Sequence, residues 1–404
     1  MAAIALLGYG TVGSGVAEVL HKNRESITKK AAEEIHIKYI LNTHDRPGDP
    51  YADLIIHDFS IIEQDPEVQV VVECIGGATV ALDYVRRSLI AGKHVVTANK
   101  ELVATHGHEL LMLAKRENLN FLFEASVGGG IPILRPLTSC LAANDLTEIC
   151  GILNGTTNYI LTKMFKEGKP FDEVLKDAQE KGYAERDPAA DIEGTDACRK
   201  ICILAALAFG RHVYPDQVPT VGITGITSVD VAFAAEAGMT VKLLGRAIHM
   251  EDSGKICAYV SPHFVPVDNQ LANVEDVFNG IVVRGDAIGD VMFYGRGAGK
   301  LPTASAVVAD VIDAVKHFRA RKYIDWAEGG PDAVFDMRDL PLEWFIRTTE
   351  SPLRIGAAFG DARIISRMIE GQVGFFTPRM TKRHLDEILA GGFAASAAPI
   401  PVME

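Results

Sequence analysis

The sequence predicts an α/β protein: a parallel, doubly wound domain leads, and a mixed domain with a largely antiparallel sheet follows. Three observations predict it. A short apolar run, Ala2–Leu7, opens the chain, and Gly8-Tyr9-Gly10-Thr11-Val12-Gly13 follows at once. Apolar strand-like runs then alternate with helical patterns, the rhythm of units built around a parallel sheet. From about Leu134 the pattern shifts. Segments such as Val221–Ile223, Ala247–His249 and Ala258–Val260 now alternate, as strands with one wet face do.

Composition bounds the rest. A chain of 404 residues is long enough for two or three domains with real cores. It is 48% hydrophobic and 23% charged, as soluble globular proteins are. A net charge of −13 argues against a nucleic-acid binder. The six cysteines (Cys74, Cys140, Cys150, Cys198, Cys202, Cys257) include no Cys-x-x-Cys pair, so neither a zinc site nor a disulfide framework is expected. Buried thiols in a reducing, cytoplasmic compartment are the expectation. No basic region precedes an apolar one at the start, so no signal peptide is expected. No uncharged apolar run reaches the length of a membrane span.

The elements follow in order. Gly8–Gly13 is Gly-x-Gly-x-x-Gly between a strand and a helical pattern through Val16, Val19 and Leu20. The first glycine makes the tight turn, the second lets backbone approach a pyrophosphate, and the third lets helix pack on strand. The helix N-terminus then faces the phosphates of a dinucleotide. The second strand is Ile35–Leu41. Its end selects between cofactors, with an acid for NAD and a basic residue for the NADP phosphate. Asn42, Thr43, His44, Asp45 and Arg46 stand there and fit neither pattern, so the choice stays open. Val70–Cys74 is a buried-type strand ending at Ile75-Gly76-Gly77, with a helix to about Ala91. His94–Ala98 is the next strand. Lys100 follows it at a carboxyl end, where ligands of open α/β sheets sit; a solvated loop lysine is the alternative. A helix over Glu109–Glu117 and a strand over Asn120–Ala125 lead to Ser126-Val127-Gly128-Gly129-Gly130-Ile131-Pro132. Bare carbonyls and Glu124 suit a simple cation there, and a hinge is an equally good account.

In the second half Thr147–Leu153 reads as a strand, and Asn154-Gly155-Thr156-Thr157-Asn158 as a polar turn that starts a helix. A helix over Phe171–Lys181 follows. The stretch Glu185–Lys200 then holds five carboxylates: Glu185, Asp187, Asp191, Glu193 and Asp196. Gly194 or Thr195 can start a helix, with Asp196 in its first turn and Lys200 four residues on, on the same face. Desolvation lowers the proton affinity of a lysine and a carboxylate raises it, so the pair is a tunable proton carrier. Taken alone, the stretch is also an acidic loop with a helical ion pair. Phe278–Gly285 and Asp290–Tyr294 read as strands. Gly295–Thr303 is a second Gly-rich loop, leading to an amphipathic helix over Ala304–Arg319. Arg321–Pro341 reads as a linker, Leu342–Thr348 as a strand, Asp361–Ile369 and Lys382–Leu389 as helices, and Ala394–Glu404 as a loose end.

Together these segments resemble the homoserine dehydrogenases. The resemblance is carried by Gly8–Gly13, Thr97–Lys100, Glu124–Pro132, Ile152–Asn158, Glu185–Lys200 and Tyr294–Ala306, in matching order over about residues 2–320. It implies a Rossmann domain over 1–133 and a catalytic and dimerisation domain over 134–320, with 302–320 packing back on the first. It also implies a short, degenerate ACT-like region over 342–404. The implied reaction is reversible, NAD- or NADP-dependent interconversion of homoserine and aspartate 4-semialdehyde by a homodimer or homotetramer. Lys200 is the implied proton donor and acceptor on the substrate oxygen, Lys100 is a second active-site lysine near that oxygen and the nicotinamide, and Asp196 completes the implied catalytic set. Glu185, Asp191 and Asp196 are the implied homoserine contacts. Gly8, Tyr9, Gly10, Thr11, Val12, Gly13, Ile75 and Lys100 would bind the cofactor, and Gly182 and Gly299 would touch it from the second domain. Glu124 and the carbonyls of Val127, Gly129 and Ile131 would hold sodium.

Two departures stand out. The basic residue common after the second strand is replaced by Asn42 and Thr43. From Leu342 only about 60 residues remain, short for an ACT module, which counts against threonine feedback. Two other readings remain. A semialdehyde dehydrogenase with a thiol nucleophile would need Cys74 or Cys150. A non-catalytic dinucleotide sensor would have no use for both Lys100 and Lys200.

Overall fold

In the computed structural model, which describes residues 1–320 and 324–404, β1 (Ala2–Leu7) is buried along its whole length. An all-apolar strand of this kind needs layers on both faces. Around it run α1 (Thr11–Lys22), α2 (Arg24–Ala31), β2 (Ile35–Leu41), β3 (Ile55–Ile56), α3 (Phe59–Gln64), β4 (Val68–Glu73), α4 (Thr79–Ile90), β5 (His94–Thr97), α5 (Lys100–Arg116) and β6 (Phe121–Leu122). The strand order is β3-β2-β1-β4-β5-β6, and β1 pairs in parallel with both β2 and β4. The order reverses between β1 and β4. The carboxyl ends of those strands therefore form the crevice where such sheets bind ligands.

Two boundaries differ from expectation in this unit. The helix expected over Glu109–Glu117 already starts at Lys100, just past the carboxyl end of β5, because the Asn99 side chain caps it through Leu102 N at 3.0 Å. The strand expected over Asn120–Ala125 shrinks to Phe121–Leu122, since Glu124–Ser126 coil into a 3₁₀ turn.

The second sheet begins at β7 (Leu146–Ile152), followed by α6 (Gly155–Glu167), α7 (Phe171–Glu180), α8 (Ala189–Ile192), α9 (Thr195–Phe209) and α10 (Ser228–Glu236). Then come β8 (Met239–Met250), β9 (Lys255–Pro266), β10 (Phe278–Gly285) and β11 (Gly289–Arg296). The order is β11-β10-β7-β8-β9, and β7 is antiparallel to both β10 and β8. Val221–Ile223, expected as a strand, is a loop held to the edge of β9 by one hydrogen bond, Val221 N to Val260 O at 2.8 Å. A side chain at Gly222 would stand 2.0 Å from the Ile192 carbonyl, so the segment is shaped by α8 rather than by the sheet.

The chain then enters α11 (Lys300–Lys316), which packs on α1. Its buried stripe of Ala304, Val307, Val308, Val311, Ala314 and Val315 recurs at helical spacing. The approach is close: a Cβ at Gly15 would lie 2.8 Å from the Lys300 carbonyl. Of the expected linker, Arg321–Tyr323 lie outside the described residues. The next part is no free tether. Trp326 is 2% exposed and donates its Nε1–H to His212 Nδ1 at 2.9 Å.

The C-terminal part runs β12 (Trp344–Thr348), α12 (Pro352–Phe359), β13 (Arg363–Ile364), β14 (Val373–Phe376), α13 (Lys382–Ala390) and β15 (Ile400–Pro401). The sheet order is β13-β14-β12-β15, and the pairs β12/β14, β12/β15 and β13/β14 are antiparallel. This is the β-α-β-β-α-β arrangement of ferredoxin-like modules. The helix expected over Asp361–Ile369 is absent from that place. A helix, α12, instead starts at Pro352, where the Ser351 side chain caps Arg354 N and proline takes the first turn. The expected loose end is also ordered: β15 pairs with Trp344 and Phe345, and Met403 N donates to Phe264 O at 2.8 Å. Ile400, Val402 and Met403 are buried, and that apolar anchoring outweighs the Ala/Pro composition.

Two compact units result. One is Met1–Asn144 with Cys202–Pro215 and Gly295–Gly329; the other is Asp145–Ile201 with Asp216–Tyr294 and Gly330–Glu404. No helix among the described residues is long and apolar enough to cross a membrane.

Candidate active site

The Gly-rich turn is built as its sequence demands. Gly8 has φ +91, and a Cβ there would lie 2.9 Å from the Cys74 carbonyl. A Cβ at Gly13 would lie 2.1 Å from the Gly8 carbonyl, whereas nothing stands within 4 Å of one at Gly10. The first and third glycines are thus fixed by packing, and the second faces open space that a pyrophosphate can enter. Gly10 is the N-cap of α1 and makes no side-chain cap, so the amides of Thr11, Val12 and Gly13 point at an anion site.

At the end of β2, Asn42 Oδ1 accepts from Tyr9 N at 3.3 Å and Arg46 Nη2 donates to Tyr9 O at 3.3 Å. The Tyr9 hydroxyl donates to Asp49 Oδ1 at 3.1 Å. Burial, and then the Asp49 hydrogen bond, raise the Tyr9 phenol well above its ordinary range, so it stays neutral. His57, which no sequence signal marked, lies 2.7 Å from Asn42 O through Nδ1 and 3.0 Å from Asp45 Oδ1 through Nε2. Both partners are acceptors, so these contacts favour the protonated ring. The Asn42 carbonyl and then Asp45 raise the His57 pKa accordingly.

The carboxyl ends of β4 and β5 are tied together by Glu73. Its carboxylate accepts from the Thr97 hydroxyl and from Ile75 N, the latter at 2.6 Å. Burial pushes the Glu73 carboxyl up to about 7. Asn99 Nδ2 donates to the carbonyls of Ile75 at 3.2 Å and Gly77 at 2.7 Å. The loop with Ile75 and the start of α5 with half-buried Lys100 are therefore held by one network. Sequence patterning found Ile75 and Lys100 but not Glu73, because a lone acid ending an apolar strand carries no motif.

Glu124 is 5% exposed and accepts three backbone amides: Ile133 N at 2.7 Å, Leu134 N at 2.9 Å and Arg135 N at 2.8 Å. The loop Val127–Ile131 lies against the second Gly-rich loop, with Gly130 N donating to Arg296 O at 3.0 Å. A Cβ at Gly129 would stand 2.3 Å from the Gly297 carbonyl. Gly299, φ +125, caps α11 without a side chain. It belongs to the first unit, not to the second domain as expected, because α11 packs on α1.

The other unit holds the acidic stretch. Lys200 is 7% exposed and Asp196 5% exposed, and Lys200 Nζ lies 2.8 Å from Asp196 Oδ2. Lys200 also donates to Leu153 O, at the end of β7, at 2.8 Å. An ammonium has three N–H bonds; the third meets no acceptor among the described residues. Asn154 Nδ2 donates to Asp191 Oδ1 at 2.7 Å and Asp196 Oδ2 at 2.9 Å. Burial raises the Asp191 pKa, the Asn154 hydrogen bond opposes this, and the Asp196 charge adds to it. Lys200, Asp196 and Asp191 thus converge, with Asn154 as the joint that sequence reasoning left without a role. Glu185 and Gly182 do not join them: both are exposed, and the Glu185 backbone carbonyl takes Gln179 Nε2 at 3.1 Å. Cys74 and Cys150 are unsuited to nucleophilic attack. Burial pushes Cys150 up to about 12 and Cys74 higher still. All six cysteines are free, and Cys140, contrary to the expectation of buried thiols, is exposed.

The chain is similar to known proteins along most of its length. The family described as "Homoserine dehydrogenase, NAD binding domain" matches residues 8–124, and the one described as "Homoserine dehydrogenase" matches residues 132–312. The homoserine dehydrogenase of Bacillus subtilis is 43% identical over 319 residues, 78% of this chain and 73% of that protein. That of Pseudomonas aeruginosa is 41% identical over 343 residues, 84% of this chain and 79% of that protein. A crystal structure of a homoserine dehydrogenase from Thiobacillus denitrificans superposes with a TM-score of 0.89 at 36% identity, covering 100% of this chain and 98% of that one. A hyperthermophilic archaeal homoserine dehydrogenase in complex with NADPH gives a TM-score of 0.66 at 28% identity, covering 78% of this chain and 97% of that one. With a nicotinamide dinucleotide fold at its N-terminus and a buried lysine–carboxylate centre, the chain belongs to the homoserine dehydrogenase family.

Proposed function

We propose that the chain interconverts homoserine and aspartate 4-semialdehyde, with Lys200 moving the proton. The observation that carries this is the cluster of buried Lys200, Asp196 and Asn154 with half-buried Asp191, in which one ammonium N–H, meeting no acceptor among the described residues, is left for a substrate oxygen. The bound nicotinamide supplies or takes the hydride at the reacting carbon. In reduction, Lys200 gives a proton to the aldehyde oxygen as charge builds there; in oxidation it takes the hydroxyl proton back. Lys100, beyond β5, is assigned to stabilising the same developing charge. Initial rates of homoserine-dependent reduction of NAD and NADP test the reading. No reduction of either would overturn it.

Asp191, Asp196 and Glu185 are assigned to the substrate's ammonium group. Asp191→Asn and Glu185→Gln should each raise KM for homoserine about tenfold, the worth of one charge-assisted hydrogen bond, with kcat little changed. Unchanged KM in both variants would return them to a solvated acidic loop.

Cofactor use is assigned as dual, with a modest preference. Arg46 and His57 bring positive charge to the end of β2, and Asp45 and Asp49 bring negative charge. Thr43→Arg should tighten NADPH relative to NADH by about tenfold in dissociation constants, as one guanidinium–phosphate contact would. Absence of any shift, or a wild-type preference above about a hundredfold, would show the ribose end to lie elsewhere.

Sodium is assigned to the loop after Glu124. In support, the carbonyls of Val127, Gly129 and Ile131 accept no hydrogen bond among the described residues, and Glu124 keeps a lone pair beyond its three amides. The ion would brace this loop. The C-terminal module is assigned as a short ACT-like remnant, supported by its β-α-β-β-α-β order. Assembly as a homodimer or homotetramer belongs to the same reading, with exposed Ile288 and Tyr294 around edge strand β11 as apolar surface to cover. So does a cytoplasmic role in threonine, methionine and isoleucine biosynthesis.

A further inference from the structure

We propose that Asn154 is a positioning residue for proton transfer: its side-chain amide fixes Asp191 and Asp196 and draws charge from the carboxylate oxygen that faces Lys200. This rests on Lys200 being the proton carrier. Asn154 is 6% exposed, and every hydrogen-bonding capacity of its side chain is used. Nδ2 gives one hydrogen to Asp191 Oδ1 at 2.7 Å and one to Asp196 Oδ2 at 2.9 Å. Oδ1 accepts from Thr157 N at 2.9 Å and from the Thr157 hydroxyl at 3.1 Å. The orientation of the amide is fixed by its partners, since carboxylates only accept and a backbone N–H only donates.

The Asp196 oxygen that takes the Asn154 hydrogen is the one paired with Lys200. The charged groups facing Lys200 are Asp196 from its own helix and Asp191 from α8; Leu153 O and Asn154 are its uncharged neighbours. Without the Asn154 hydrogen bonds, Asp196 Oδ2 keeps more of its charge and holds the protonated lysine more firmly. Homoserine oxidation needs Lys200 unprotonated, so it should then require higher pH.

The role separates cleanly from helix capping. Ser and Asp are both good N-caps, so Asn154→Ser and Asn154→Asp should keep α6 while removing the bridging amide. The Asp variant also adds a negative charge. The acid limb of the kcat/KM profile for homoserine oxidation should move up by about one pH unit in Asn154→Ser, the scale of one hydrogen bond to a charged group, and further in Asn154→Asp. Cofactor dissociation constants of Asn154→Ser should match wild type. Unmoved acid limbs, with or without a fall in kcat, would overturn the proposal and leave Asn154 as a cap. If Asn154→Asp unfolds, Asn154→Ser alone decides. A Lys200→Ala variant that keeps its turnover would instead overturn the proton-carrier assignment. Loss in that variant beside unmoved limbs in the Asn154 variants would overturn the positioning role alone.

Discussion

Lys200→Ala is expected to lower kcat for homoserine oxidation by roughly two to four orders of magnitude, the range for loss of a general acid–base group. The reason is local. Lys200 holds two of its three N–H bonds against Leu153 O and Asp196 Oδ2, both at 2.8 Å, so its position is set before substrate arrives. Alanine keeps the helix and removes the proton carrier. Dissociation constants for NAD and NADP should be nearly unchanged, because Lys200 lies in the second unit and the Gly-rich turn in the first. Stopped-flow rates and fluorescence titrations check the two statements separately. Near wild-type turnover would remove Lys200 from the chemistry.

Asp230→Ala is expected to give the largest loss of stability. Asp230 is 1% exposed and its carboxylate meets Arg347 Nε at 2.7 Å. The same carboxylate closes a capping box with Thr227 at the start of α10. Arg347 lies on β12 and is 8% exposed, so the change would leave a buried guanidinium with only Gln372 and Thr227 as partners among the described residues. Removing one partner of a buried pair costs about 3–5 kcal/mol, and loss of the capping contact adds about 1 kcal/mol. A lowered melting temperature and faster amide exchange over 344–376 are the readouts. A melting curve that overlays wild type would mean the pair contributes nothing net.

The nucleotide-binding half was legible because its signals are local. Gly8, Gly10 and Gly13 sit at fixed offsets between a strand and a helix, and backbone sterics alone demand glycine at the first and third. Asp196 and Lys200 were legible for the same reason: four residues on one helix are neighbours whatever surrounds them. His57 and Glu73 were not, since each acts on a residue 12 to 24 positions away through a contact that only folding creates. The helix placed at Asp361–Ile369 failed by missing the Ser351-Pro352 start, and the loose C-terminus failed because composition does not register burial.

By itself the sequence determined the strand–turn–helix that receives the dinucleotide, the helix that carries Lys200, and the acidic stretch before it. Each is a matter of dihedral preference and side-chain period within a few residues. Tertiary structure alone decided which of the five carboxylates share one hydrogen-bond network with Lys200. It buried Asp196, drew half-buried Asp191 to the same Asn154 amide, and left Glu185 exposed. Charge on a side chain can be read from its formula, but its proton affinity depends on the dielectric and the donors around it. Those are supplied here by the end of β7 and the start of α6, up to 47 residues upstream of the lysine they serve.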